Sequence, residues 1–199
     1  GGAASGSAAG RLGAVAPARD VAGKSTLVGH GRVDDTHTSD LWVWEGLDGR
    51  DYAVTGTWGA NGDAHFWDVT DPANIERIST VTIDARTVND VKVSADGRIC
   101  VLSREGASDR KNGIVLVDVM DPRNPKILSG FDDSLTGGVH NVFYSPASAL
   151  LQATPCPAHT RVCVQDRTAR SSRPLSRSSL TKQCVGGGAY RPGQSACRA

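Results

Sequence analysis

The chain has few aromatic residues, a single methionine and no long apolar run. Only 10 of its 199 residues are Phe, Tyr or Trp. No stretch approaches the ~18 to 20 consecutive apolar residues that a membrane-spanning helix needs, so the sequence predicts no transmembrane segment. Glycine, in contrast, is abundant, with 23 residues, and this disfavours a bundle of helices. The sequence therefore excludes a helical membrane protein and an all-α fold.

Charge and cysteine both divide the chain near residue 145. Residues 1–145 contain 14 Lys and Arg against 20 Asp and Glu, whereas residues 146–199 contain 8 against 1. The spacing of the four cysteines beyond residue 145 matches no zinc site and predicts disulfides only weakly. A net charge of +1 therefore conceals an acidic body and a basic end. The four cysteines are Cys156, Cys163, Cys184 and Cys197.

Between residues 40 and 132 the sequence alternates short β-rich runs with turn residues, about every 8 to 12 residues, as in antiparallel β proteins. Asp-Gly pairs at 48–49 and 96–97 and Asp-Pro pairs at 71–72 and 121–122 predict tight turns between neighbouring strands. The predicted strands are 40–45, 52–58, 65–70, 76–83, 89–94, 98–103, 113–119 and 126–131.

These strands form two copies of one unit. Residues 68–74, Asp-Val-Thr-Asp-Pro-Ala-Asn, align without a gap with residues 118–124, Asp-Val-Met-Asp-Pro-Arg-Asn, at an offset of 50 and with five identities. A repeat of this length with four strands is typical of a β-propeller, in which each blade buries its faces by stacking on the next. The predicted blades are residues 39–84 and 88–132. A third begins at about residue 138, where residues 139–143 align with 88–92.

The run of residues 114–122, Ile-Val-Leu-Val-Asp-Val-Met-Asp-Pro, resembles the signature of the LVIVD-repeat proteins, which are bacterial and archaeal β-propellers often exported or found at the cell surface. Residues 38–43, 55–59, 89–94 and 137–140 are similar to other stretches of that family, and the resemblance covers about residues 28–144. It implies a binding or scaffolding module at the cell envelope, in the periplasm or outside the cell. It carries over no catalytic residue.

The predicted fold is all-β: a partial β-propeller of two four-stranded antiparallel blades and the first strand of a third, at residues 28–145. The remaining blades are expected to be missing from this chain. Residues 1–27 are predicted to be a low-complexity or disordered segment. Residues 146–199 contain no Ile, Phe or Trp and are predicted to be a basic, low-complexity tail. Two explanations stay open for this tail: a change of reading frame after about codon 145, or a genuine tail that binds an anionic surface or nucleic acid.

Polar residues enter the first strand of each predicted blade, which lies nearest the central channel. They recur as Ser-Asp at 39–40, Asn-Asp at 89–90 and His-Asn at 140–141. Such side chains could hold a divalent metal ion, the candidate cofactor of the complete propeller, or a polar ligand at one mouth of the channel. The interpretation that we favour is that they satisfy strand ends or bond across adjacent blades. The candidate metal ligands are Asp40, Asp90, His140 and Asn141.

All four tryptophans lie in the first blade: Trp42, Trp44, Trp58 and Trp67. Four indoles so close together could form a platform for the apolar faces of sugars. Strand alternation, however, puts Trp42 and Trp44 on one face, which favours burial against a neighbouring blade. The core interpretation is therefore preferred.

The sequence contains no sign of a nucleophilic triad or of a glycine-rich phosphate loop, and Cys100 lies in an apolar strand where it is expected to be inert. We therefore predict a non-enzymatic module that binds a protein or polysaccharide. No nucleic-acid binding is expected of the propeller part. Two alternatives stay open: a metal-assisted enzyme with its site in the central funnel of the complete propeller, and a truncated product without independent function.

Overall fold

The computed structural model describes residues 20–21, 25–33, 36–133, 135, 137–145, 150–155, 161–166 and 180–185. Every regular element in these residues is a β-strand. Two short strands in the predicted N-terminal segment, β1 (Asp20–Val21) and β2 (Ser25–Thr26), pair antiparallel. The described residues include no helix long and apolar enough to span a membrane.

The first blade is a four-stranded antiparallel sheet in which the strands follow one another in chain order. The predicted Asp-Gly turn joins its first two strands, with Gly49 at a φ of 76°, a conformation that glycine adopts without steric cost. Its strands are β3 (His37–Glu45), β4 (Asp51–Trp58), β5 (Asp63–Asp68) and β6 (Glu76–Thr82).

The second blade repeats this order. All eight predicted strands are thus present. The inner strand β7 is shorter than the predicted 89–94. Thr87 bridges to Glu105, and regular pairing begins at Val91 with Leu102, but residues 88–90 between these two points are outside the ladder. The strands are β7 (Val91–Val93), β8 (Ile99–Arg104), β9 (Gly113–Asp118) and β10 (Lys126–Phe131).

The two blades are copies in detail. The third strand of each ends at the repeated aspartate, Asp68 in β5 and Asp118 in β9. In the turn that follows, the N–H of Asn74 donates to the carbonyl of Asp71 at 3.0 Å. The N–H of Asn124 donates to the carbonyl of residue 121 at the same distance. The prediction that the 50-residue offset marks equivalent structural positions is confirmed.

The third blade differs from the prediction that only its first strand is present. That strand, β11 (Val139–Ser145), is the edge of a four-stranded sheet whose three other strands lie in the segment expected to be a low-complexity tail. The interpretation of residues 146–199 as a basic, low-complexity tail otherwise stays a prediction, because the structure describes only residues 150–155, 161–166 and 180–185 of this segment. The other residues beyond 145 lie outside the described part of the chain. The added strands are β12 (Leu150–Pro155), β13 (Arg161–Asp166) and β14 (Leu180–Val185).

Two apolar cores lie between neighbouring blades. The core between the first and second blades packs Trp44, Phe66 and Val54 against Val91 and Leu102. The core between the second and third blades contains a different set: Val101, Ile114, Leu116, Leu135, Val139 and Val142. Neighbours in β8 therefore point to opposite cores, as strand alternation requires, and the second blade is buried on both faces.

The segment before β3 covers part of the outer face of the first blade. A Cβ atom built on Gly29 would clash with the carbonyl oxygen of Pro72, and one built on Gly31 would lie 3.0 Å from the ring of Trp67. This close approach requires glycine, since the backbone lies directly on the β5–β6 side of the sheet. Trp67 is consequently buried, and its indole N–H donates to Thr55 Oγ1 at 3.0 Å.

Because the two Asp-Pro turns have equivalent hydrogen bonds, we expect the carboxyl groups of Asp71 and Asp121 to have similarly lowered pKa values. The side-chain amide of Asn74 and the N–H of Ala73 donate to Asp71, and these bonds lower the pKa of its carboxyl. The equivalent bonds from Asn124 and Arg123 lower the pKa of Asp121. Each carboxylate therefore stabilises its turn above the ordinary pKa of aspartate, and the contribution is lost as the pH falls through the lowered value. NMR titration of the carboxyl carbons should show both below the ordinary range. An ordinary value for either one would show that the two turns are not equivalent.

Candidate functional site at the inner strands

The inner strands of the three blades lie side by side. Strand β7 lies against β3 on one side and against β11 on the other. Each inner strand is irregular where it begins: β3 shifts register between Thr38 and Leu41, and β11 shifts between Val139 and Asn141. An extra residue at such a bulge re-aims a side chain. The repeated polar pairs of the sequence fall at these irregular positions.

A carboxylate at this position bonds each blade to the next. Asp40 Oδ2 in the first blade accepts the N–H of Val91 in the second at 3.2 Å. Asp90 Oδ2 in the second blade accepts the N–H of Val142 in the third at 2.5 Å. The preferred interpretation, that these aspartates bond across adjacent blades, agrees with the structure. We call this pair of hydrogen bonds the inter-blade ladder.

Lys92 lies between the two carboxylates of the ladder. Its Nζ donates to Asp40 Oδ2 at 2.7 Å and to Asp90 Oδ1. The same ammonium donates to the carbonyl of Val91 and lies 5.2 Å from the ring centroid of Trp42, in cation–π contact. The protein thus supplies its own cation where two carboxylates converge.

The ladder shifts the pKa values of its two carboxyl groups. Burial raises the pKa of Asp90, and its hydrogen bond with Asp40 adds to this, while bonds from Lys92 and the N–H of Val142 oppose it. Burial alone would also raise the pKa of Asp40, but hydrogen bonds from Asp90, Lys92 and Val91 lower it to about 2. Asp40 is therefore the ionised partner of the Lys92 ammonium throughout the neutral range.

The four candidate metal ligands are not gathered at one point. Asp40 and Asp90 converge on Lys92, whereas His140 and Asn141 are exposed at the start of β11. The part of the chain that the structure describes holds no group of three or more His, Cys, Asp or Glu side chains that could bind a metal ion. Metal binding in a complete propeller stays a prediction.

The tryptophans divide between core and surface. Trp44 and Trp67 are buried, so the core interpretation is confirmed for these two. It is wrong for Trp58, of which 53% is exposed at the end of β4. Trp42 is partly exposed beside Lys92. Cys100 is fully buried, and burial raises the pKa of its thiol, as expected of an inert side chain.

Exposed and half-buried polar and aromatic side chains surround the mouth at which the inner strands begin. The rings of His37 and Trp58 lie 6.4 Å apart, edge to face. On the next blades, Asn89 Nδ2 donates to the carbonyl of His140 at 2.7 Å and lies 3.3 Å from its Nδ1. Glu105 directly follows β8 and bridges to Thr87. Burial raises the pKa of its carboxyl, and the nearby charge of His140 opposes this rise. We call His37, Trp58, Asn89, Glu105 and His140 the mouth cluster.

Backbone bonds connect the parts of the mouth cluster. The N–H of Val88 donates to the carbonyl of Thr57 at 2.9 Å, and the N–H of Gly59 donates to Thr87 Oγ1 at 3.2 Å. The sequence singled out His140 but not Glu105. The only signal that could have pointed to Glu105 is its pairing with Thr87, which lies two residues before the repeated polar pair at 89–90.

Comparison with known proteins supports the fold alone. No protein-family model and no curated protein matches the chain. The periplasmic gluconolactonase PpgL of Pseudomonas aeruginosa is 16% identical, with a TM-score of 0.55, over 80% of this chain and 47% of its own. A candidate 6-phosphogluconolactonase of Bacteroides uniformis is 17% identical, with a TM-score of 0.56, over 78% and 41%. A hypothetical selenium-binding protein of Sulfolobus tokodaii is 15% identical, with a TM-score of 0.55, over 78% and 40%.

These likenesses and the repeated sheets establish an all-β, β-propeller fold. The chain spans less than half the length of each of these structures. Since no family model matches, the resemblance to LVIVD-repeat proteins stays a prediction.

Replacing Asp90 should test the ladder. In Asp90→Ala the buried N–H of Val142 loses its acceptor and Lys92 loses one of two carboxylates. An unsatisfied buried donor and a broken buried ion pair together predict a loss of about 2–4 kcal/mol in the free energy of unfolding. In Asp90→Asn, which keeps an acceptor oxygen, the loss should be smaller. Urea denaturation of the full chain measures both values.

The matched control is Glu45→Gln, since Glu45 is an exposed carboxylate at the end of β3. Its effect should stay within about 0.5 kcal/mol. Equal losses in Asp90→Ala and Glu45→Gln would contradict a structural role for the ladder.

Proposed function

We propose that this protein is a binding module that takes a hydroxyl-rich ligand, a saccharide or sugar acid, at the mouth cluster. The observation that carries the proposal is the exposed indole of Trp58, with 53% of its surface free, beside polar groups on the neighbouring blades. An aromatic face suits the apolar face of a sugar ring, and amide, imidazole and carboxyl groups suit its hydroxyls.

The hydrogen bonds already made by the two inner-strand aspartates also favour binding over catalysis. Asp40 and Asp90 already bond to Lys92 and to backbone N–H groups, so neither is poised to act on a ligand. The names of two similar structures refer to gluconolactone chemistry, which supports sugar acids as the ligand class. The resemblance to LVIVD-repeat proteins and the periplasmic neighbour favour a location outside the cytoplasm.

Hydrolysis of a sugar lactone is the second candidate function. Glu105, whose pKa is raised by burial, lies within the electrostatic reach of His140. A carboxyl group with a raised pKa beside an imidazole is an arrangement that general acid–base catalysis can use. A metal-assisted lactonase would in addition bind a divalent ion in the complete propeller.

Binding is tested by titrating the full chain with gluconate, glucose and a linear glucose oligosaccharide, followed by NMR and calorimetry. We expect saturable binding of at least one of these ligands. Trp58→Ala should weaken it by about tenfold or more, which corresponds to about 1.4 kcal/mol of lost stacking. Leu47→Ala is the matched control, because Leu47 is equally exposed in the turn at the other end of β3. That variant should bind as the unmodified chain does.

Two outcomes would contradict the proposal. The first is an absence of saturable binding across the panel, and the second is binding that Trp58→Ala leaves unchanged. Turnover of δ-gluconolactone that Glu105→Gln abolishes would instead favour the lactonase.

A further inference from the structure

Two arginines from neighbouring blades converge on one buried carboxylate at the end of the blades opposite the mouth cluster. Arg50 lies in the β3–β4 turn of the first blade, and Arg123 lies in the β9–β10 turn of the second. We call these two residues the arginine pair. We propose that the arginine pair binds a phosphate group, either as the free ion or in a phosphomonoester. The inference does not depend on the ligand of the mouth cluster.

The buried carboxylate of Asp68 holds both guanidinium groups in place. Its Oδ2 atom accepts hydrogen bonds from Nε and Nη2 of Arg50, at 2.9 and 2.6 Å, and from Nη2 of Arg123 at 3.2 Å. Burial alone would raise the pKa of Asp68, but hydrogen bonds from Thr70 and Arg50 lower it, so the carboxylate is ionised at neutral pH. Because both guanidinium groups contact one oxygen atom, they lie close enough together for a single further anion to contact both.

A hydrogen bond between blades positions the second arginine. Ser79 Oγ in β6 donates to the carbonyl of Pro122, the residue directly before Arg123, at 2.7 Å. Asp121 closes the same turn by accepting the backbone N–H of Arg123 and the side-chain amide of Asn124. The site is therefore built from two blades and is ordered before a ligand arrives, which limits the entropy lost on binding.

The repeat does not require the second arginine. Arg123 aligns with Ala73 at the 50-residue offset. Asp118, the equivalent of Asp68, accepts the N–H two residues further on at 3.0 Å, as Asp68 does at 3.2 Å. This shared bond forms the turn in both blades. The guanidinium of Arg123 is thus an addition to the repeated turn, and it brings a second positive charge to one carboxylate.

Both arginines keep donors for a further acceptor. Arg50 and Arg123 are 49% and 48% exposed. A guanidinium carries five N–H donors in a planar fork, and the bonds to Asp68 do not use Nη1 of either arginine. Such forks match the oxygen atoms of a phosphate group, and two of them can contact the same group.

Glu76 indicates where the anion would lie. Its Oε2 atom is 3.6 Å from Arg123 Nη2, which is beyond hydrogen-bond distance, and 64% of its side chain is exposed. An exposed pair of this kind contributes little, so a phosphate group can displace the Glu76 carboxylate. Asp48, in contrast, is held by the hydroxyl of Tyr52 at 2.8 Å. With Glu76 displaced, two guanidinium groups share one carboxylate, and the three groups together carry a net positive charge.

NMR of the arginine Nε–Hε groups tests the proposal. The full chain is titrated with inorganic phosphate and, separately, with glycerol phosphate, at constant ionic strength. We expect saturable shifts at Arg50 and Arg123 with a dissociation constant of about 1 to 10 mM, because a few charge-assisted hydrogen bonds form at an exposed site. Tighter binding of the ion or of the ester identifies which source of the phosphate group the site prefers, and either result supports the proposal.

Two substitutions should change the affinity in opposite directions. Arg123→Gln removes one fork and should weaken binding about tenfold, measured at the Arg50 signal. Glu76→Gln removes the competing carboxylate and should tighten binding about two- to threefold. A merely structural arginine pair predicts no gain of affinity in Glu76→Gln.

Two matched controls should leave the dissociation constant within about twofold of its original value. Arg98→Gln changes a similarly exposed arginine at the same end of the second blade, beside the single carboxylate of Asp96. Glu45→Gln changes an exposed carboxylate at the end of β3. Circular dichroism verifies that each variant is folded. The proposal is overturned if neither phosphate compound gives saturable shifts at the arginine pair, or if Arg98→Gln weakens binding as much as Arg123→Gln does.

Discussion

Each blade bonds to the next through a carboxylate that accepts a backbone N–H from the neighbouring inner strand, and the arrangement of the blades depends on this bond. Apolar packing between sheets is nondirectional, and it permits small slides of one blade on another. The bonds from Asp40 to Val91 and from Asp90 to Val142 fix the register, because a slide would leave buried donors unpaired. Lys92 lets two carboxylates approach without leaving an uncompensated charge.

The same bond connects stability with function. Since the aspartates nearest the channel are used between blades, the groups free to meet a ligand lie at the mouth, where Trp58 and His140 are exposed. The position equivalent to Asp40 and Asp90 in the third blade is Asn141, which is exposed. One repeated contact thus connects the register of the blades with the location of the candidate site.

Much of the fold could be predicted from the repeat, because turn residues and the 50-residue offset act locally. Asp68 and Asp118 fell at equivalent strand ends for this reason. Composition predicted a tail beyond residue 145, and the structure pairs β12, β13 and β14 within that segment. The site was only half predictable. Strand alternation shows which face a tryptophan occupies, but whether anything covers that face at Trp58 is a tertiary property.

Amide hydrogen exchange at Val91 and Val142, followed by NMR on the full chain, tests the central claim most directly. If the inter-blade ladder holds the blades in register, both amides exchange only through global unfolding, as slowly as the amides of the β8–β9 ladder. In Asp90→Ala, the amide of Val142 should lose this protection while that of Val91 keeps it. Rapid exchange of both amides in the unmodified chain would contradict the account, because the bonds would then not be part of the stable fold.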